Sequence, residues 1–339
     1  MLSGKTDWLG KWYEVAAERG VNDKITFWEI DLVSKSKRQF YYSHAKWDGA
    51  GGLIDILEKN GFGRLKLPHG RDTSKPSLLS RLTIIRRALQ NMKSPKVQWK
   101  YRSPDLDLEN SAQPHYISFD REETASIADY CKKQKLSQNA FLIEMLNQTV
   151  IKSLVANPDD YDGSWLFPVN MRGPVWKENP LSNHSSGIYL RCDQNTSASL
   201  LHRQMKTCLS NKTHWGIWWL GHIGRIVGVR GMRALSLNSS KKSFYFGTFS
   251  NMGVWPGHEQ GPVLASHLDE NKVWLVATPG SVNYPVGIVA LTWFGKLTMS
   301  LKIHRSICPD QKFAEHLKDQ WRSKILQTIR QDQETKVLA

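Results

Sequence analysis

The 339-residue sequence predicts an α/β protein built in two halves. Three observations predict it. Runs of β-branched and aromatic residues of strand length alternate with segments whose apolar residues recur at helical spacing. A polar stretch, Ser94–Pro114, carries three prolines and no apolar period, which marks a boundary. Hydrophobic residues make up 40% of the chain and charged residues 23%, enough apolar surface for a buried core without staples. The halves are read as residues 1–95 and 115–339, joined by a linker over 96–114.

In order along the chain, an amphipathic segment near Trp8–Glu18 comes first. Lys24–Leu32 ("KITFWEIDL") and Arg38–His44 ("RQFYYSH") read as strands joined by the polar turn "VSKSK". Gly49–Glu58 reads as a helix with Leu53, Ile54 and Leu57 on one face, and Lys75–Met92 as a basic helix. After the linker, Asp120 and Glu123 resemble a capping box, and Ser137 caps a helix to about Leu154. "SWLFPVNMR", "SSGIYLRCD", "SFYFGTFSN", "KVWLVATPG", "PVGIVALTWFG" and "KLTMSLKIH" read as strands. A closing helix places Phe313, Leu317 and Trp321 at i, i+4, i+8.

Composition narrows the function. Cys131, Cys192, Cys208 and Cys308 are far apart with no CxxC, so neither a disulfide framework nor a zinc ribbon is expected. The first residues lack the apolar core of a signal peptide, and no run reaches a membrane span, so a cytoplasmic protein is expected. No HExxH, P-loop or GxGxxG-after-strand pattern occurs, so no metal site and no bound nucleotide cofactor is expected. The net charge of +15 favours anionic partners. No zinc finger or RNP-like aromatic motif points that charge at nucleic acid.

The most informative stretch is "YYSHAKWDGAGGLIDIL", Tyr41–Leu57. A strand ends at His44, and an Asp48–Gly49 turn opens a helix. A neutral histidine held rigidly at a strand end can take a proton near physiological pH. His-x-x-x-Asp-Gly fixes only three residues, so it is weak by itself.

In its context the pattern resembles the HxxxDG acyltransferase superfamily, the chloramphenicol acetyltransferase-like fold. Wax ester synthases, alcohol acetyltransferases, BAHD acyltransferases and peptide-synthetase condensation domains share it. Further stretches carry the likeness: "SFDREETASIADYCKKQKLSQNAFLIEML", "FPVNMR", "LSNHSSGIYL", "FSNMG" and the late hairpin "VGIVALTWFGKLTMSLKIH". Together they span roughly Lys24 to Leu326 in the family's order. Ser43 stands where many relatives have a first histidine, and the stretch before the motif is shorter than theirs.

The resemblance implies two α/β sandwich halves with an active-site tunnel between them. It implies that His44 is the general base of an acyltransferase that forms no covalent acyl-enzyme. The donor would be a thioester, acyl-CoA or an acidic acyl-carrier protein as co-substrate, and the acceptor a hydroxyl or amine. Asp48 would pair with Arg172 beside Gly49, as a structural element of the site. Asn183, Ser250, Asn251 and Gly253 would lie near substrate, Ser250 or Asn251 as an oxyanion donor. The competing readings are a condensation-type enzyme and an inactive basic binder of lipid surfaces.

One segment falls outside that frame. Thr213–Leu235 ("THWGIWWLGHIGRIVGVRGMRAL") is rich in tryptophan and arginine, which suits an interfacial anchor on an anionic membrane. As a single helix it would align Gly221, Gly224, Gly228 and Gly231 on one stripe. Tight helix packing inside the protein is the other reading of that stripe.

Overall fold

The computed structural model describes residues 7–18, 21–62, 65–70, 74–102, 114–160, 162–240, 245–255, 271–308 and 310–337. Helix α1 (Trp8–Ala17) starts at Asp7, whose carboxylate accepts from the N–H groups of Leu9 and Gly10. Strands β1 (Lys24–Asp31) and β2 (Lys37–Ser43) form an antiparallel hairpin, and α2 (Gly49–Lys59) follows. Helix α3 begins later than the sequence predicts, at Arg81, and ends at Asn91. Pro76 and the Ser77–Ser80 hydrogen bonds hold the preceding residues in a turn instead.

The remaining elements are β3 (His115–Ser118), α4 (Arg121–Lys133), α5 (Gln138–Leu154), β4 (Gly163–Asn170), β5 (Ser185–Cys192), α6 (Ala198–Ser210), α7 (Thr213–Gly221) and α8 (Gly224–Ser240). Then come β6 (Gly247–Trp255), β7 (Lys272–Ala277), β8 (Val286–Trp293), β9 (Lys296–Ile303) and α9 (Gln311–Val337). The capping box at Asp120 and Glu123 is formed, and Ser137 caps α5.

The strands build two sheets, one of order β2-β1-β7 and one of order β3-β9-β8-β6-β4-β5. Strand β7 breaks the sequence order. It comes from the second half yet pairs antiparallel with β1, Thr26 opposite Ala277. The sheet of the first half is therefore completed by residues 272–277. At the start of the linker, Val97 and Trp99 are buried in the core of the large sheet, with Trp99 bridging to Val155. Residues 103–113 of the linker lie outside the described residues.

Strand β8 is buried along its whole length because both faces are covered. Successive side chains point to opposite faces. Val286, Ile288 and Ala290 join the core made with α5 and α9, while Val289, Leu291 and Trp293 join the core made with α2 and the small sheet. On β9 the same alternation places Leu297, Met299 and Leu301 in the first core. Its other face is polar: Thr298 donates to the Trp274 carbonyl at 2.9 Å, and Ser300 to that of Val276. Hydroxyls of the large sheet thus satisfy the edge carbonyls of β7 and dock the small sheet onto it.

The tryptophan-rich segment is not one helix. The chain turns at His222 between α7 and α8, and Gly228 takes φ 62°, ψ 179°, outside the helical region. No continuous glycine stripe exists. The expected anchor tryptophans Trp215 and Trp218 are buried against Ile84 of α3 and Met171. Gly224 is pressed on α1, where an added Cβ would lie 2.4 Å from the Trp8 ring. Among the described residues no helix is long and apolar enough to cross a membrane.

Candidate active site

The corner between β2 and α2 is held from both sides. The N–H of His44 donates to the Asp23 carbonyl at 2.7 Å, and Ser43 Oγ donates to the Asp23 carboxylate. The N–H groups of Lys46 and Trp47 return to the Ser43 carbonyl, which closes a tight turn. Across the corner lies the segment before β5: Trp47 bridges to Ser182, and the Asn183 N–H donates to the Lys46 carbonyl at 3.0 Å.

This turn fixes the His44 ring. Nδ1 lies 3.0 Å from the Trp47 carbonyl, which can only accept. Nδ1 therefore carries the proton, and Nε2 carries the lone pair. Asn183 Nδ2 donates to the His44 carbonyl at 2.9 Å and lies 3.1 Å from Nδ1. The Asn183 Oδ1 accepts from the Ser185 N–H, which orients that amide. Tyr13 of α1 covers the ring with centroids 4.5 Å apart. Burial pushes the His44 pKa below its ordinary value, against the pull of the Trp47 carbonyl and of Asp48 and Asp23. The ring is thus neutral at physiological pH. Burial also raises the Tyr13 phenol to about 12, so Tyr13 stays protonated.

Asp48 caps α2 in extended conformation, its Oδ1 accepting from the Gly51 N–H at 2.9 Å. Arg172, just past β4, meets the carboxylate with both terminal nitrogens at 2.7 and 2.9 Å. The His184 N–H supplies a further bond at 2.9 Å. The rest of the guanidinium is spent on the carbonyls of Pro180 and Ser182. Both side chains are buried, and the pair joins the two halves. Gly51 permits this contact: a Cβ there would lie 1.9 Å from the Leu181 carbonyl oxygen.

His44 opens on a cavity of about 390 Å³. Its walls come from both halves and are mostly apolar, with Trp12 of α1, Ile25, Leu166, Ile217 and Val289 among them. Gly49 and Ser250 also line it, as does a hydroxyl pair, Tyr189 and Tyr284, 2.7 Å apart. Asn251 and Gly253 do not. Along β6, Thr248, Ser250 and Met252 face the cavity, so Asn251 points the other way and donates to Asn139 Oδ1. Gly253 sits at φ 83° in the irregularity where the register of β6 and β8 shifts. Of the residues expected near substrate, Ser250 therefore lines the cavity, whereas Asn251 and Gly253 are set off it by strand alternation and by this irregularity.

Sequence reading missed Tyr13, Asp23, Trp47, Tyr189 and Tyr284. Only Asp23 and Trp47 had a local signal, lying just before the first strand and within the motif.

No family profile and no curated protein sequence matches the chain. Solved structures do. The epimerization domain of the third module of tyrocidine synthetase B matches with 12% identity and a TM-score of 0.51, over 88% of this chain and 70% of that one. The trichothecene 15-O-acetyltransferase of Fusarium sporotrichioides matches with 12% identity and a TM-score of 0.51, over 95% and 75%. The cyclization-docking bidomain of the peptide synthetase EpoB from Sorangium cellulosum matches with 13% identity and a TM-score of 0.53, over 85% of this chain but only 60% of that one. At these identities the likeness is one of fold. The chain has the chloramphenicol acetyltransferase-like fold of condensation and acyltransferase domains, with its two α/β halves.

Proposed function

We propose that the chain is an acyltransferase moving an acyl group from a thioester to a hydroxyl or amine. The observation that carries this reading is the His44 ring, pinned through Nδ1 and opening on an apolar cavity shared by both halves. In the proposed step Nε2 takes the acceptor's proton as its oxygen or nitrogen attacks the thioester carbonyl. The C–S bond breaks, and the imidazolium returns the proton to the departing thiolate. A base so placed contributes roughly a hundred- to ten-thousandfold. Ser250 is the candidate oxyanion donor, since its position on β6 puts it in the cavity wall. Asp48 and Arg172 hold the corner rather than react.

Acyl-CoA is the proposed donor, and a carrier-bound acyl group the alternative. Purified protein, incubated with acyl-CoA and with acyl-carrier protein over a panel of alcohols and amines, decides between them. Thiol release with either donor that His44→Ala abolishes supports the reading. Thiol release unaffected by that substitution overturns His44 as the base.

A further inference from the structure

Two long stretches of this chain contain no acidic residue. Residues 73–104 hold eight lysines and arginines and no aspartate or glutamate, and residues 194–258 hold another eight and none. The fold stacks them: α3 lies in the first, α7 in the second, and the two helices pack together. Arg81 of α3 sits over the Trp219 ring of α7 at 5.0 Å. Neither α3 nor α7 carries an acidic residue, while Arg233 farther along the second stretch is paired with Glu18 at the end of α1.

The same region exposes large apolar side chains. Leu78, Leu79 and Leu82, in and just before the first turn of α3, are 85%, 96% and 81% exposed. Ile226, seven residues beyond Trp219, is 86% exposed, and Trp176, next to the packed Val175, is 82% exposed. Single exposed leucines are ordinary, but three within five residues, flanked in sequence by Lys75, Arg81 and Arg86, are not. Beside them a cleft of about 200 Å³ between α3 and the α6–α7 turn is lined by Ser80, Thr83, Arg87 and Lys212. Protruding leucines above a cationic, hydroxyl-lined cleft match the two layers of an anionic bilayer, acyl chains beyond and phosphate headgroups at the level of the arginines.

We propose that this α3 face docks on an anionic phospholipid surface, with Leu78, Leu79 and Leu82 inserted and a headgroup phosphate in the Arg87–Lys212 cleft. Helix α7, which packs on α3, also carries Ile217 to the cavity wall, so a single helix separates the proposed docking face from the cavity lining. The proposal does not depend on the chemistry of His44.

The test is sedimentation of the full chain with phosphatidylcholine vesicles and with phosphatidylcholine–phosphatidylserine vesicles, at low and high salt. Wild type is expected to bind the anionic vesicles and to be released by salt. The triple change Leu78→Ser, Leu79→Ser, Leu82→Ser alters only exposed side chains and is expected to lower partitioning at least tenfold with the circular dichroism unchanged. Arg86→Gln with Arg87→Gln is expected to lower it roughly twenty-five-fold, about fivefold per charge. Lys132→Gln with Lys133→Gln removes the same charge from exposed positions on α4 and is expected to leave partitioning within about twofold. Negligible binding to both vesicles overturns the proposal. So does an equal loss from the α4 pair, which would mean net charge alone. Leucine-dependent binding to an acidic carrier protein, with none to vesicles, would assign the face to a protein instead.

Discussion

His44 and Asp48 lie four residues apart in one motif, and the structure treats them oppositely. Asp48 is surrounded. Two backbone N–H groups and two guanidinium nitrogens saturate its oxygens, and only 4% of its surface is exposed. His44 is fixed along one edge. The carbonyl and amide contacts fall on Nδ1, and the ring borders the cavity. A saturated charge is unavailable to chemistry, whereas a ring held by one nitrogen leaves the other for a substrate. In the proposed function, one short motif divides its work between an anchor and a base.

The comparison breaks most sharply by exchanging the two kinds of damage. His44→Ala is expected to lower thiol release from the thioester by roughly a hundred- to ten-thousandfold. The melting temperature should stay near the wild-type value. Asp48→Ala and Arg172→Ala should each cost about 3–5 kcal/mol in denaturant unfolding, because each leaves a buried charge unpaired. The double substitution should cost less than the sum of the two. Strict additivity in that cycle would dissolve the pair as an energetic unit.

A buried histidine elsewhere sharpens the contrast between the ring proposed for chemistry and one used for structure. His304, after β9, takes a hydrogen bond from the Ser306 N–H on Nδ1, so it must be neutral there. Burial, with Lys302 nearby, lowers its pKa to about 4. Its folded pKa lies below the unfolded value of 6.5, so the unfolded chain binds more protons between the two. Its contribution is complete above pH 6.5 and is lost as pH falls to about 4, a change of about 3 kcal/mol. Urea unfolding between those pH values should show that slope, and His304→Gln should reduce it, leaving the smaller part owed to the other depressed histidines. His44, also depressed by burial, should add to that slope and appear in the rate as well. The value of kcat/KM should be flat near neutral pH and fall on the acid side of 6.5.

The smallest effects test the face of β6. Ser250→Ala should lower kcat about tenfold if its hydroxyl meets the oxyanion, on the scale of one hydrogen bond. Asn251→Ala should change it less than about twofold, since that side chain turns to Asn139. Equal losses from both would remove the assignment of Ser250.

Much of this was legible along the chain because its causes are local. Strand alternation, the capping box at Asp120 and Glu123, and the cap that Asp48 gives to α2 each act within a few residues. The His44 corner could be read for the same reason: a strand end, a turn and a helix start are short-range events. The limit appears at Ser250 and Asn251, where the motif is visible but the face each residue takes depends on the register of β6 with β8.

The sequence alone determined most of the elements, their order, and the residue types at the His44 corner, since propensity and capping depend on neighbours in the chain. The tertiary structure decided which distant segments meet. It sent β7 to β1, placed Asn183 on the His44 carbonyl, set Leu181 so close that residue 51 must be glycine, and turned one apparent helix into two. Such contacts are chosen by burial of apolar faces and by satisfaction of edge carbonyls across the whole core, and no window of the sequence contains both partners.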